Sequence, residues 1–146
     1  MRIAVITLLG FLAVHGAGAE TLTLEVDGVE RQALVVAPAR ESSGAAPLVF
    51  LFHGHGGTAA GIAKKYDIQS LWPEAIVVAP QGLPTRGKYD PEGKRSGWLA
   101  RRVEGINRDL RFFDALIAQV TEKFDVGHVY ASGHSNGGAF TYFVAA

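Results

Sequence analysis

Ser135 lies in the run Tyr130-Ala131-Ser132-Gly133-His134-Ser135-Asn136-Gly137-Gly138, a strand-like segment that ends in G-x-S-x-G and opens into helical residues. A serine hydroxyl is a weak nucleophile at neutral pH. Chemistry at Ser135 therefore needs a sharp exposed turn, a base within reach and backbone donors for a developing oxyanion. Gly133 and Gly137 suit such a turn: without Cβ atoms they let the backbone strain at Ser135 and let the following helix pass close to the strand. Asn136 offers its backbone N–H as one oxyanion donor, at a helix start where the dipole favours negative charge. The second donor is expected from His53-Gly54-His55-Gly56-Gly57-Thr58, a Gly-rich run whose first residue lies 82 positions before Ser135. Within it the N–H of His55 is the first candidate and that of Gly56 the next.

Both runs follow apolar segments, and the elements that carry them can be read in order. Thr21 to Val26 alternates polar and apolar residues, Asp27-Gly28 is a turn dipeptide, and Val29 to Val36 resumes in extended style, predicting a β-hairpin. Residues 37–46 form a loop punctuated by Gly and Pro. Pro47 to Phe52 has no polar face and suits a strand buried on both sides of a sheet. Thr58 caps a short helix through Ala59, Ala60, Ile62 and Lys65, and Pro73 stops it. Ala75 to Ala79 is a second buried strand, closed by Pro80 and Gly82.

Residues 81 to about 104 read as a long connection without structure of its own, with Trp98 and Leu99 as its large apolar groups. Trp98 is a candidate substrate-stacking residue if it lies over the cleft; anchoring of the loop or core is the other role open to it. From Asn107 the period changes. Leu110, Phe113, Ile117, Val120 and Phe124 recur at intervals of three and four, with Phe112 and Leu116 widening the stripe, predicting a helix that covers a sheet and ends at Gly127. His128 to Ser132 then forms the strand that leads to Ser135. Strands alternating with helices after a hairpin predict an α/β fold: a mainly parallel sheet with an N-terminal antiparallel hairpin.

Composition bounds the rest. The 146 residues suffice for one domain with a core, and 14 basic residues balance 14 acidic ones, which gives no support to nucleic-acid binding. There is no cysteine, which excludes disulfides, thiol nucleophiles, Cys-based metal sites and a lipid-anchored lipoprotein. Arg2, the apolar run Ile3 to Val14, and small residues at Ala17 and Ala19 have the anatomy of a secretory signal peptide over residues 1–19. Twelve apolar residues are too few for a membrane span, which takes roughly 20. The mature domain, residues 20–146, is thus expected to be secreted or periplasmic, with no membrane association after cleavage. His53 and His55 are spaced for metal ligation only if strand-like, with a glycine between them and no carboxylate close in sequence; neither metal nor cofactor is expected.

The H-G-x-G-G-T loop, the Trp-containing connection before a helix, and the strand leading to G-H-S-N-G-G together resemble the α/β-hydrolase superfamily. Within it, they are similar to the secreted polyhydroxybutyrate depolymerase and feruloyl or acetyl-xylan esterase group. The resemblance covers about residues 21–146, the N-terminal half or so of such a domain. It implies a three-layer sandwich, incomplete at the C-terminus, and a serine esterase acting on polyhydroxyalkanoate or on feruloyl and acetyl polysaccharide esters through an acyl-enzyme on Ser135. Members of that group often carry Cys where this chain has His55. The fold also places its catalytic acid and histidine after the nucleophile. The 11 residues after Ser135 contain neither. Among the other histidines, His53 is expected to bond backbone and fix the oxyanion turn, His55 to serve through its N–H rather than as a base, His134 to pack beneath the turn, and His128 to lie on the surface. The strand before Ser135, normally central, is expected to keep an uncovered edge and to favour self-association. A peptidase of the prolyl-oligopeptidase type, whose elbow is also G-x-S-x-G-G, and a non-catalytic hydrolase-like domain remain alternatives.

Overall fold

A computed structural model describes residues 18–101, 105 and 107–146. The leader expected over residues 1–19 falls, through residue 17, outside these described residues. The hairpin forms as expected: β1 (Ala19–Val26) pairs antiparallel with β2 (Val29–Val36), and Asp27 and Gly28 take φ of 55° and 75°. Successive left-handed residues match the twist of a tight hairpin, which is why an Asp-Gly dipeptide serves there. Next come β3 (Ala46–Phe52), α1 (Ala59–Tyr66), the short α2 (Ile68–Leu71) and β4 (Ile76–Pro80). The Thr58 hydroxyl accepts the Gly61 N–H at 3.0 Å, the cap that the sequence indicated.

The main sheet has the order β1-β2-β4-β3-β7, with β7 spanning Val126–Gly133. β4, β3 and β7 run parallel, and β2 joins β4 antiparallel, so the hairpin extends a parallel core. Alternation along β3 and β4 sorts their side chains to two faces. Leu48, Phe50, Phe52, Ile76 and Val78 face α3 (Arg108–Lys123) and α4 (Asn136–Val144), while Val49, Leu51, Val77 and Ala79 pack with Ala59 and Ile62 of α1. Helices on both faces of the sheet make three layers. β7 hydrogen-bonds to β3 on one side, and its Val129 and Tyr130 are 45% and 44% exposed.

Three expectations need correction. The connection after β4 has its own structure, because β5 (Leu83–Pro84) pairs with β6 (Ser96–Gly97) and Gly87 bridges to Asp90. The buried stripe of α3 is Asp109, Phe112, Leu116 and Val120, with Leu110, Phe113 and Ile117 only partly buried. That rotation follows from Asp109, which is fully buried and meets Arg31 of β2 at 2.9 Å. Finally, α3 ends at Lys123 and Gly127 lies inside β7, so an extended Phe124 rather than a glycine stops the helix.

Candidate active site

Three parallel strands end on one edge of the sheet, the edge where open α/β sheets place their ligands. Phe52 of β3 is in register with Gly133 of β7, which sets the His53 loop beside His134 and Ser135. Ser135 adopts φ 53° and ψ −117°, a strained backbone for a residue with a Cβ, and its hydroxyl makes no capping bond to α4. The side chain is exposed. Two glycines make this turn possible by close approach: a Cβ on Gly137 would sit 2.2 Å from the Phe52 carbonyl oxygen, and one on Gly133 would sit 2.5 Å from the Gly137 carbonyl. The helix therefore passes against the strand ends as the sequence indicated.

The His53 loop reaches the turn directly, since a Cβ on Gly54 would lie 3.0 Å from His134 Nδ1 and 3.6 Å from Ser135 Cβ. His53 is buried and holds that loop. Its Nδ1 donates to the Gly54 carbonyl at 2.8 Å, and its Nε2 accepts the Gly82 N–H at 3.0 Å and the Gln81 amide at 3.2 Å. This pattern fixes a neutral ring, and burial pushes the imidazole below its ordinary 6.5. Gln81 also accepts the N–H of Ala59 at 2.9 Å, so one side chain joins the loop, α1 and the end of β4.

The backbone N–H groups of His55 and Asn136 have no acceptor among the described residues, and both residues line the cleft that contains Ser135. Gly56, the second candidate donor, is engaged instead: its N–H donates to the Ser96 carbonyl at 2.7 Å, which ties the loop to β6. The His55 ring is also engaged. Its Nε2 meets Asp90 Oδ2 at 3.0 Å, and its Nδ1 side packs on Gly97, 2.7 Å from where a Cβ would stand. Asp90 Oδ2 further accepts the Arg95 N–H at 2.9 Å, while Oδ1 accepts the Lys94 N–H at 3.2 Å. The Arg95 N–H first of all, then His55 and Lys94, holds this carboxyl down to about 2. Asp90 thus organises the turn that walls the cleft, a role with no signal in the sequence beyond an acid in a Gly/Pro-rich turn.

Trp98 is not over the cleft. It is 2% exposed, its ring stacks on Phe140 at 5.3 Å, and its indole N–H donates to the His53 carbonyl at 2.8 Å. The substrate-stacking assignment is therefore withdrawn in favour of anchoring. Asn136 gains a role that its backbone position did not reveal. Its side-chain oxygen accepts the Trp98 N–H at 2.7 Å and its amide donates to the Trp98 carbonyl at 3.0 Å. His134, expected beneath the turn, is exposed along the cleft wall, and His128 is exposed on β7 as expected. Among the described residues none bonds the Ser135 hydroxyl, and no group of three or more His, Cys, Asp or Glu is arranged to hold a metal ion.

No family model matches the chain, and neither does any curated protein sequence. Solved structures do match. An S-formylglutathione hydrolase from Agrobacterium tumefaciens superposes with a TM-score of 0.67 at 18% identity, covering 90% of this chain and 55% of that one. A cold-adapted esterase from an Arctic intertidal metagenomic library gives 0.59 at 19% identity, covering 86% and 54%. A thermostable esterase gives 0.57 at 18%, covering 86% and 36%. The chain spans 36% to 55% of the length of these three proteins. At such identities the likeness establishes the fold, which is the α/β-hydrolase type.

Proposed function

We propose that this chain carries the nucleophile and oxyanion half of a serine hydrolase acting on carboxylic esters. The observation that carries the reading is the geometry of Ser135: an exposed hydroxyl at positive φ, at the N-terminus of α4, sharing a cleft with the unpaired N–H groups of His55 and Asn136. In the reaction, Ser135 Oγ bonds to the carbonyl carbon, and the carbonyl oxygen turns its developing charge toward the two N–H groups. The bond to the leaving oxygen then breaks, and the departing alcohol takes up the hydroxyl proton. Water attacks the acyl carbon in turn, releasing the acid and returning a proton to Oγ. A base belongs in both steps. The ring nitrogens of His53 are bonded to Gly54, Gln81 and Gly82, and the His55 ring is held by Asp90. The exposed His134 lines the same cleft but makes no hydrogen bond to the Ser135 hydroxyl, and this chain alone is proposed to acylate slowly and turn over little.

Polyhydroxyalkanoate and feruloyl or acetyl polysaccharide esters are the substrates that the sequence resemblance suggests, with secretion or export implied by the leader at residues 1–19. Three structural neighbours described as esterases or as an S-formylglutathione hydrolase support ester or thioester chemistry in general terms. Incubation with p-nitrophenyl acetate followed by peptide mass mapping tests the reading. One acetyl group on Ser135, absent in S135A, is the expected result. Acetylation elsewhere with Ser135 unmodified, or cleavage of peptide amides without ester cleavage, would contradict it.

A further inference from the structure

The cleft beside Ser135, about 530 Å³, is walled on one side by the turn that follows β5, and that turn brings Arg86, Lys88 and Arg95 to its lining. No carboxylate joins them there. The two acids of the turn are already used: Asp90 is buried in its hydrogen bonds to His55, Lys94 and Arg95, and Glu92 pairs with Lys94. Asp90 Oδ2 lies 3.9 Å from Arg95 Nε, which offsets part of one positive charge and leaves Arg86 and Lys88 without an ionic partner among the described residues.

The turn is also fixed against the oxyanion loop. Gly56 donates to the Ser96 carbonyl, the Ser96 hydroxyl donates to the Gly57 carbonyl at 2.7 Å, and His55 bonds Asp90. The Arg95 side chain lies over Gly56, with Cδ at 3.4 Å and Nη1 at 3.9 Å from the position of an added Cβ, and Nη2 donates to the Tyr89 carbonyl at 3.0 Å. Arg95 is thus held next to the cleft, and the tethered turn carries the exposed Arg86 and Lys88 to the same lining. Low-dielectric walls and charges of one sign concentrate ligands of the opposite sign.

We infer that the cleft selects esters bearing a carboxylate on the same molecule, held by Arg86, Lys88 and Arg95 while the ester carbonyl sits at Ser135. This deepens the hydrolase reading and rests on it for the identity of the reacting bond. An acid-ended ester gains from the cations both in encounter and in binding, whereas a neutral ester of equal length gains from neither.

Binding of monomethyl adipate, as its carboxylate, and of dimethyl adipate to the 146-residue chain tests the inference by ligand-observed NMR titration. At low salt the monoester is expected to bind about tenfold more tightly than the diester, with the preference shrinking as sodium chloride is raised. R86Q/K88Q should cut the preference severalfold, leaving only what Arg95 supplies, whereas the charge-keeping R86K/K88R should retain it. Equal binding of the two ligands, or a preference that R86Q/K88Q leaves undiminished, would overturn the inference. Acetylation of Ser135 by p-nitrophenyl acetate separates the two readings. Acetylation without any carboxylate preference leaves the hydrolase and removes the selectivity, while a charge-dependent preference without acetylation leaves an anion-selective cleft and removes the hydrolase.

Discussion

Asn136 and Trp98 hold each other by two hydrogen bonds, side-chain oxygen to Trp98 N–H at 2.7 Å and side-chain amide to Trp98 carbonyl at 3.0 Å. The residue proposed to supply an oxyanion donor from its backbone thereby fastens the Ser135 turn to the loop before α3. Trp98 carries the tie inward through its indole bond to the His53 carbonyl. The His53 loop and the Ser135 turn are linked through a single buried residue.

Replacing Asn136 with alanine should cost about 1–3 kcal/mol, because it leaves the N–H of the buried Trp98 without its acceptor, while the Trp98 carbonyl keeps only the Ala100 N–H at 3.1 Å. Urea unfolding of N136A against the parent chain measures it. An unchanged midpoint would show that the tie contributes nothing.

The Arg31–Asp109 pair is a second unseen tie, buried at both ends and joined by the Leu99 N–H, which donates to Asp109 Oδ2 at 2.9 Å. D109A strands a buried guanidinium and should cost about 3–5 kcal/mol. R31M/D109L, which removes both charges, should be markedly less destabilised than D109A in the same melt.

G137A should disrupt the fold, since its Cβ would overlap the Phe52 and His53 carbonyl oxygens at 2.2 and 2.5 Å. The clash is with backbone and cannot relax by a rotamer change, so a loss of about 3 kcal/mol or more is expected. G138A is the control. Its Cβ would come no nearer than 3.2 Å to the Gly133 carbonyl oxygen, and it should cost far less.

Much of this architecture was legible because its signals are local. The Asp27-Gly28 turn, the unbroken apolar run of β3, the Thr58 cap and the glycines around Ser135 each act within a few residues. What was missed depends on partners far apart in sequence. His55 and Asp90 are separated by 35 positions and Arg31 and Asp109 by 78, and no periodicity announces such pairs. The face of α3 departs from the apolar pattern for the same reason, because a buried charge rather than an apolar residue begins its stripe. Trp98 stayed ambiguous until its neighbours Phe52, Phe140 and His53 were placed around it.

Acidification should loosen the site in two windows. Burial lowers the His53 pKa below its ordinary 6.5, so the unfolded chain takes up that proton first, and the stabilising effect of the neutral ring is full above 6.5 and falls below it. Asp90 is lowered from 3.8 to about 2, so its contribution is full above 3.8 and is lost as the pH falls toward 2. Thermal melts from pH 8 to pH 2 should show both declines, and D90N should reduce the lower one, to which Glu74, lowered by its bond to Arg40, also contributes. A melting temperature that rises on acidification would reverse the assigned signs.

The proposed pairing of the Ser135 nucleophile with two oxyanion donors is tested most directly by the crystal structure of the chain after reaction with a fluorophosphonate. Phosphorus bonded to Ser135 Oγ is expected, with one phosphonyl oxygen about 2.7–3.1 Å from the N–H nitrogens of both His55 and Asn136. A phosphonyl oxygen turned to solvent, or held by Gly56 in place of His55, would contradict it.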